Sequence, residues 1–243
     1  VSADVLKDLA PTGTLRAAIN YGNGVLAQRG AGDQDPRGVS GDLARELGRR
    51  LGVAVTFIAF DAAGKVFDAL EAGPDNPKAW DVAFLAIEPV RAAQIAFTAP
   101  YVLIEGTYLV RKDSPLNTTA DLDRPGHRIA VATKAAYDLY LTRTLKHAEL
   151  VRGEEPVERF LRDKLDAVAG VRQLLENYTV SHPELRMMSD SFMEIRQAMG
   201  TPQGRDAGAA YLKTFIEEMK ASGFVAEALA RSGQKASVPP AEK

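Results

Sequence analysis

Apolar positions along this chain form short strand-length runs that alternate with helical stripes. The clearest run is Val82-Ala83-Phe84-Leu85, long enough for one buried strand and too short for a helix. Ala86 and Ile87 follow, then Glu88-Pro89, where proline predicts the first turn of a helix because its missing N–H costs nothing there. Arg91 lies in that turn, just past a strand's carboxyl end, the edge at which open α/β sheets bind ligands. Beside the N–H groups of a helix start, an arginine makes a natural carboxylate clamp. The competing reading is a surface arginine paired with Glu88.

The same alternation runs through the rest of the chain. Residues 2–9 predict a short helix, 15–19 a strand, and Asn20-Tyr21-Gly22-Asn23-Gly24 a polar turn. From Ser40, Leu43, Ala44, Leu47 and Leu51 share one helix face, with Gly52 as its stop. Residues 53–60 read as a strand, and Val66, Phe67 and Leu70 as the inner face of a second helix. Strands are also predicted at 104–110, 128–132, 149–152, 167–169 and 185–188, and an extended segment at 193–200. Helices are predicted at 135–145, around 157–161, and at 171–178, 205–222 and 224–231, and one helical turn at 119–122. Residues 233–243 predict a loosely held tail. Strand–helix alternation of this kind implies parallel sheets with crossover helices: the class is α/β.

The 243 residues suffice for two lobes with real cores. Thirty Lys and Arg against 32 Asp and Glu leave a net charge of −2, which gives no reason to expect a nucleic-acid or membrane-surface partner. There are no cysteines, which removes disulfides and thiolate chemistry. His127, His147 and His182 lack metal-ligand spacing, so no metal or cofactor is expected. The chain opens at Val1 without a basic start or an apolar signal core, and a secretion signal is expected to have been removed already.

Four segments, in order, resemble the type 2 periplasmic solute-binding proteins of ABC transporters, family 3, the polar amino-acid-binding branch. They are the helix following Gly38-Val-Ser-Gly-Asp-Leu-Ala, the stretch from Trp80 through Arg91 to Phe97-Thr-Ala-Pro-Tyr101, the strand from Gly106 to Asp113-Ser-Pro115, and the helix ending Met219-Lys-Ala-Ser-Gly223. The resemblance implies two α/β lobes joined by two crossing strands, with a ligand cleft between the lobes that closes on the solute. Lobe 1 would be residues 1–107 and 197–243, and lobe 2 the insertion 108–196. It also implies a periplasmic, monomeric protein that serves an ABC transporter permease.

Position by position, the resemblance places Arg91 on the family arginine that grips a ligand carboxylate. Bonds of that kind contribute about 1.5–3 kcal/mol each. Phe84 and Ala86 fall where the family uses backbone groups before that arginine, and Asn20, Tyr21 and Asn23 where a polar or aromatic side chain lines the cleft. On the other lobe, Thr133-Lys-Ala-Ala-Tyr-Asp138 falls on the family's small-residue turn. Lys134 stands where glycine is usual, Ala135 and Ala136 replace a hydroxyl pair, and Tyr137 follows. Val171 stands where the family has the acid that takes a ligand ammonium, and Glu105 is the nearest other acid. For several residues a structural reading competes: Glu105 as a hinge salt bridge, Tyr137 and Tyr140 as lobe 2 core, Trp80 packed behind its strand, and Arg49, Arg50, Arg111 and Lys112 as solvated charges.

The expected function is therefore delivery of a small carboxylate-bearing solute, an amino acid or related compound, to an importer. The alternative is an enzyme on the same scaffold, similar to cyclohexadienyl or arogenate dehydratase. That chemistry needs a general acid, for which only Glu105 or Lys134 is available. No Ser-His-Asp arrangement or paired carboxylates support catalysis, so no enzymatic activity is expected.

Overall fold

Val82–Ala86 forms a strand in which every residue is buried, the mark of a strand covered on both faces. A computed structural model describes all 243 residues, and its chain divides into two units, 1–103 with 196–243 and 104–195. In the first, β1 (Leu15–Asn20) lies between β2 (Val55–Phe60) and β3 (Val82–Ala86), all parallel. The β1–β2 register runs from Leu15 opposite Val55 to Asn20 opposite Phe60, so these two strands end together. Helices α1 (Ala3–Leu9), α2 (Val39–Leu51) and α3 (Ala63–Glu71) alternate with them, and the four-residue α4 (Pro89–Ala92) follows β3. After β4 (Ile95–Phe97), the chain enters β5 (Val102–Arg111), which carries it into the second unit.

Local rules account for these elements. Helix α2 ends with Gly52 in the left-handed region, φ 71°, and the Val53 N–H donates to the Gly48 carbonyl at 3.1 Å. This glycine cap uses up Val53, which is why β2 begins two residues later than its β-branched run suggests. On one face of the sheet, Ala18, Phe60, Val66, Phe67, Leu85 and Ile95 pack with Trp80, whose Nε1–H donates to the Val66 carbonyl at 2.9 Å. Trp80 therefore stands behind its strand as expected.

Asp81, at the amino end of β3, is fully buried. Its carboxylate accepts from the Arg16 backbone N–H (3.0 Å), Nε (2.9 Å) and Nη2 (2.8 Å), and from Arg205 Nη1 (2.7 Å). The Asp81 carbonyl accepts from the Thr201 hydroxyl at 2.8 Å. Nothing in the periodicity of the sequence marks this group.

In the second unit, β6 (Arg128–Ala132) lies parallel between β7 (Glu149–Gly153) and β8 (Ala167–Val171), while β8 runs antiparallel to β5. β9 (Leu185–Met187) also pairs with β5. Helices α5 (Ala136–Thr144), α6 (Pro156–Arg162) and α7 (Arg172–Ser181) make the crossovers, and residues 119–122 form one 3-10 turn. One cluster gathers Tyr108, Ile129, Val131 and Leu141, with Tyr137 and Tyr140 packed against it; another gathers Leu109, Phe160, Val168 and Leu175. β10 (Met193–Pro202) returns the chain to the first unit, where it pairs antiparallel with β3 and β4. The long α8 (Asp206–Ala221) and α9 (Phe224–Arg231) follow.

Two expectations are corrected. The tail is not loosely held: Leu103 N–H donates to the Ser237 carbonyl at 2.8 Å and Ser237 N–H returns a bond at 3.3 Å, because the start of β5 offers unpaired backbone groups that the tail satisfies. Arg111 is not a solvated charge: its guanidinium donates to the Leu165 and Phe160 carbonyls and lies 4.6 Å from the Phe160 ring centroid. Because Asp81 is fully buried against two cations, Asp81→Asn is expected to destabilise the first unit by about 3–5 kcal/mol; urea unfolding followed by the fluorescence of Trp80, the single tryptophan, measures it.

Candidate functional site

The carboxyl ends of β1 and β3 bring the expected residues of the first unit to one sheet edge. Arg91 is only 1 % exposed, so the surface reading of this arginine is wrong. Its Nη1 donates to the carbonyl of Ala86, the last residue of β3, at 3.0 Å. Glu88, equally buried, is the N-cap residue of α4. Burial pushes the Arg91 guanidinium down to about 10, with the Glu88 charge opposing the shift. A guanidinium at that value still carries its charge at neutral pH, where it can hold a carboxylate. Phe84 and Ala86 are buried on β3, opposite Met199 and Gln197 of β10.

At the end of β1, Asn20 and Asn23 are each 9 % exposed. The Asn20 Oδ1 accepts from Gly22 N–H at 2.9 Å, and the Asn23 Oδ1 from Val25 N–H at 3.3 Å. Tyr21 is half-buried, and its N–H donates to the Phe60 carbonyl at 2.8 Å. The Arg29 guanidinium lies over the Tyr21 ring, 4.2 Å from its centroid. Burial raises the Tyr21 phenol above its ordinary value, the Arg29 cation pulling the other way. Arg29 also lines an open groove of about 560 Å³ with Phe60, Asp61, Lys65 and Lys78. Sequence reasoning missed Arg29, since nothing in the spacing brings residue 29 back over residue 21.

In the second unit, the turn after β6 holds Lys134 at φ 59°, the left-handed conformation that costs a non-glycine residue about 1–2 kcal/mol. The Lys134 N–H donates to Asp138 Oδ2 at 2.8 Å, and the buried Asp138 also accepts from Arg152 Nε at 2.9 Å and from the Thr142 hydroxyl. These bonds hold the strained turn in place. Ala135 is the N-cap of α5 and Ala136 its first residue. Tyr137 faces the core of this unit, and burial raises its phenol well above the ordinary value.

Val171 ends β8, caps α7 and is 7 % exposed. Arg172, the next residue, donates to Glu105 Oε2 at 2.7 Å and to the carbonyls of Met188 (3.0 Å) and Asp190 (2.9 Å). Glu105 is thus engaged in an ion pair. No three His, Cys, Asp or Glu side chains gather where they could hold a metal ion, and no helix is long and apolar enough to cross a membrane.

This architecture is that of the two-lobed type 2 periplasmic binding proteins. A mutant of ArgBP from T. maritima superposes with a TM-score of 0.76 at 20 % identity, covering 94 % of this chain and 99 % of that one. The cysteine-binding protein from Campylobacter jejuni gives 0.76 at 18 % identity, covering 93 % and 92 %. The ancestral amino-acid-binding protein AncCDT-1, a precursor of cyclohexadienyl dehydratase, gives 0.74 at 19 % identity, covering 94 % and 99 %. Among curated proteins, none matches the sequence significantly. Residues 27–234 match the bacterial extracellular solute-binding proteins, family 3, and the chain belongs to that family.

The Arg172 contacts separate two energetic roles. Glu105 is half-exposed, so Glu105→Gln is expected to cost no more than about 1 kcal/mol. Arg172→Met, which strips two carbonyls of a charged donor, is expected to cost about 2 kcal/mol. Urea denaturation followed by circular dichroism ranks the two.

Proposed function

We propose that this chain is the extracytoplasmic solute-binding component of an ABC importer and binds a small carboxylate-bearing solute, an amino acid or a related compound. It would act in the periplasm as a monomer and hand the solute to a membrane permease. The observation that carries this reading is Arg91, a charged guanidinium buried at the carboxyl end of β3 and held by the carbonyl of Ala86. A carboxylate is the natural partner for such a group, since its two oxygens match the planar donor fork. Structural neighbours whose names identify amino-acid and cysteine binding support a solute of this size.

A dehydratase reading has one specific observation behind it, the likeness to a dehydratase precursor. It needs an acid to protonate a departing hydroxyl, and Glu105 is paired with Arg172. That commitment favours binding over catalysis, and formation of phenylpyruvate or phenylalanine from prephenate or arogenate would reverse the preference.

Titration of amino acids and small carboxylates, read as a rise in melting temperature, should reveal at least one solute. Arg91→Gln should weaken it about 10- to 100-fold, and unchanged affinity would remove Arg91 from the site. The pH dependence has a definite sign. The carboxylate needs the charged guanidinium, and burial lowers the proton affinity of Arg91 to about 10. Affinity should therefore stay level between about pH 7 and 9 and fall as pH passes about 10, which calorimetry at stepped pH would follow.

A further inference from the structure

The two asparagines after β1 have a fixed hydrogen-bond polarity. An asparagine amide presents a carbonyl oxygen on one side and an NH₂ group on the other, and its orientation follows from its partners. The Oδ1 of Asn20 accepts from the Gly22 N–H at 2.9 Å, and that of Asn23 from the Val25 N–H at 3.3 Å. A flipped amide would set N–H against N–H, so neither side chain can turn around. Both residues are about nine-tenths buried, and neither Nδ2 meets an acceptor within the protein. The turn that carries them is otherwise satisfied: Tyr21 N–H donates to Phe60 and Asn23 N–H to the Asn20 carbonyl.

β1 and β3 are paired neighbours, with Ala18 opposite Ala83, so the residue that ends β1, Asn20, and the one that ends β3, Ala86, lie on adjacent strands about 5 Å apart in the pairing direction. The edge therefore offers a guanidinium at one place and two outward NH₂ groups beside it. All three are donors. A buried donor left without an acceptor costs about 1–3 kcal/mol, which a solute could recover by bringing an acceptor to it.

Building on the carboxylate reading of Arg91, we infer that Asn20 and Asn23 determine specificity: the solute carries a second group that is a hydrogen-bond acceptor, a carboxylate or amide carbonyl, at the end remote from the carboxylate that Arg91 holds. A terminal ammonium, which can only donate, is rejected at that position.

Calorimetry with two matched sets tests this. One is glutamate, glutamine, norvaline and ornithine; the other is glutarate, pentanoate and 5-aminopentanoate. In at least one set the acceptor-ended members should bind about tenfold tighter than the methyl-ended one, and the ammonium-ended member most weakly. An ammonium-ended member that binds as tightly as the acceptor-ended ones overturns the inference. Asn20→Asp keeps the acceptor for Gly22 and replaces the outward NH₂ by oxygen, so it should shift the preference toward the ammonium-ended member by about tenfold or more; Asn23→Asp makes the same test at the second position. An unchanged order of affinities in both variants overturns the assignment of these residues. If no member of either set binds, the carboxylate reading of Arg91 falls, and the inference with it.

Discussion

The first unit depends on one buried ion cluster. Asp81 stands at the amino end of the central strand β3, without contact with solvent, and draws in Arg16 from β1 and Arg205 from the start of α8. Arg16 and Arg205 are separated by most of the chain, yet one carboxylate holds both. A carboxylate taken wholly out of water persists only when its oxygens are fully hydrogen-bonded, and here four N–H groups meet it. That requirement fixes β1 beside β3 and ties the final third of the chain to them. Arg91 lies just past the opposite end of the same short strand, so the cluster at one end of β3 anchors the element that positions the buried guanidinium at the other.

The second unit solves a similar problem with Asp138. Its carboxylate accepts from the backbone of Lys134, from Arg152 and from Thr142, and so holds a lysine in a conformation that favours glycine. Arg172 does comparable work after β8, where its fan of donors gathers Glu105 and the carbonyls of the 188–190 segment. In both places a charged side chain compensates for backbone groups that no strand or helix satisfies. The turns after β6 and β8 are thus shaped by side-chain chemistry more than by small flexible residues.

Much of the architecture was legible in the chain. The β3 run, the helix-opening Pro89, the stripe of Leu43, Leu47 and Leu51, and the Gly52 stop all appear where the structure has them, because each rests on neighbours a few residues apart. Boundaries slipped where two rules competed for one residue, as when the helix cap claimed Val53. The solvated reading of Arg111 and the loose tail failed for another reason. Their partners, Phe160 and Leu165 for one and Leu103 for the other, are tens of residues or more away, and no local pattern encodes such a meeting.

The sequence by itself determined the α/β class, the family and the position of Arg91 at a strand end, because hydrophobic period, turn chemistry and motif order are local properties of the chain. Only the tertiary structure decided that Arg91 is buried beside Glu88, that Asp81 binds two distant arginines, that Arg29 covers Tyr21, and that Asn20 and Asn23 turn their donors outward. Each of those depends on which groups lose water together, and desolvation is settled by packing across the fold.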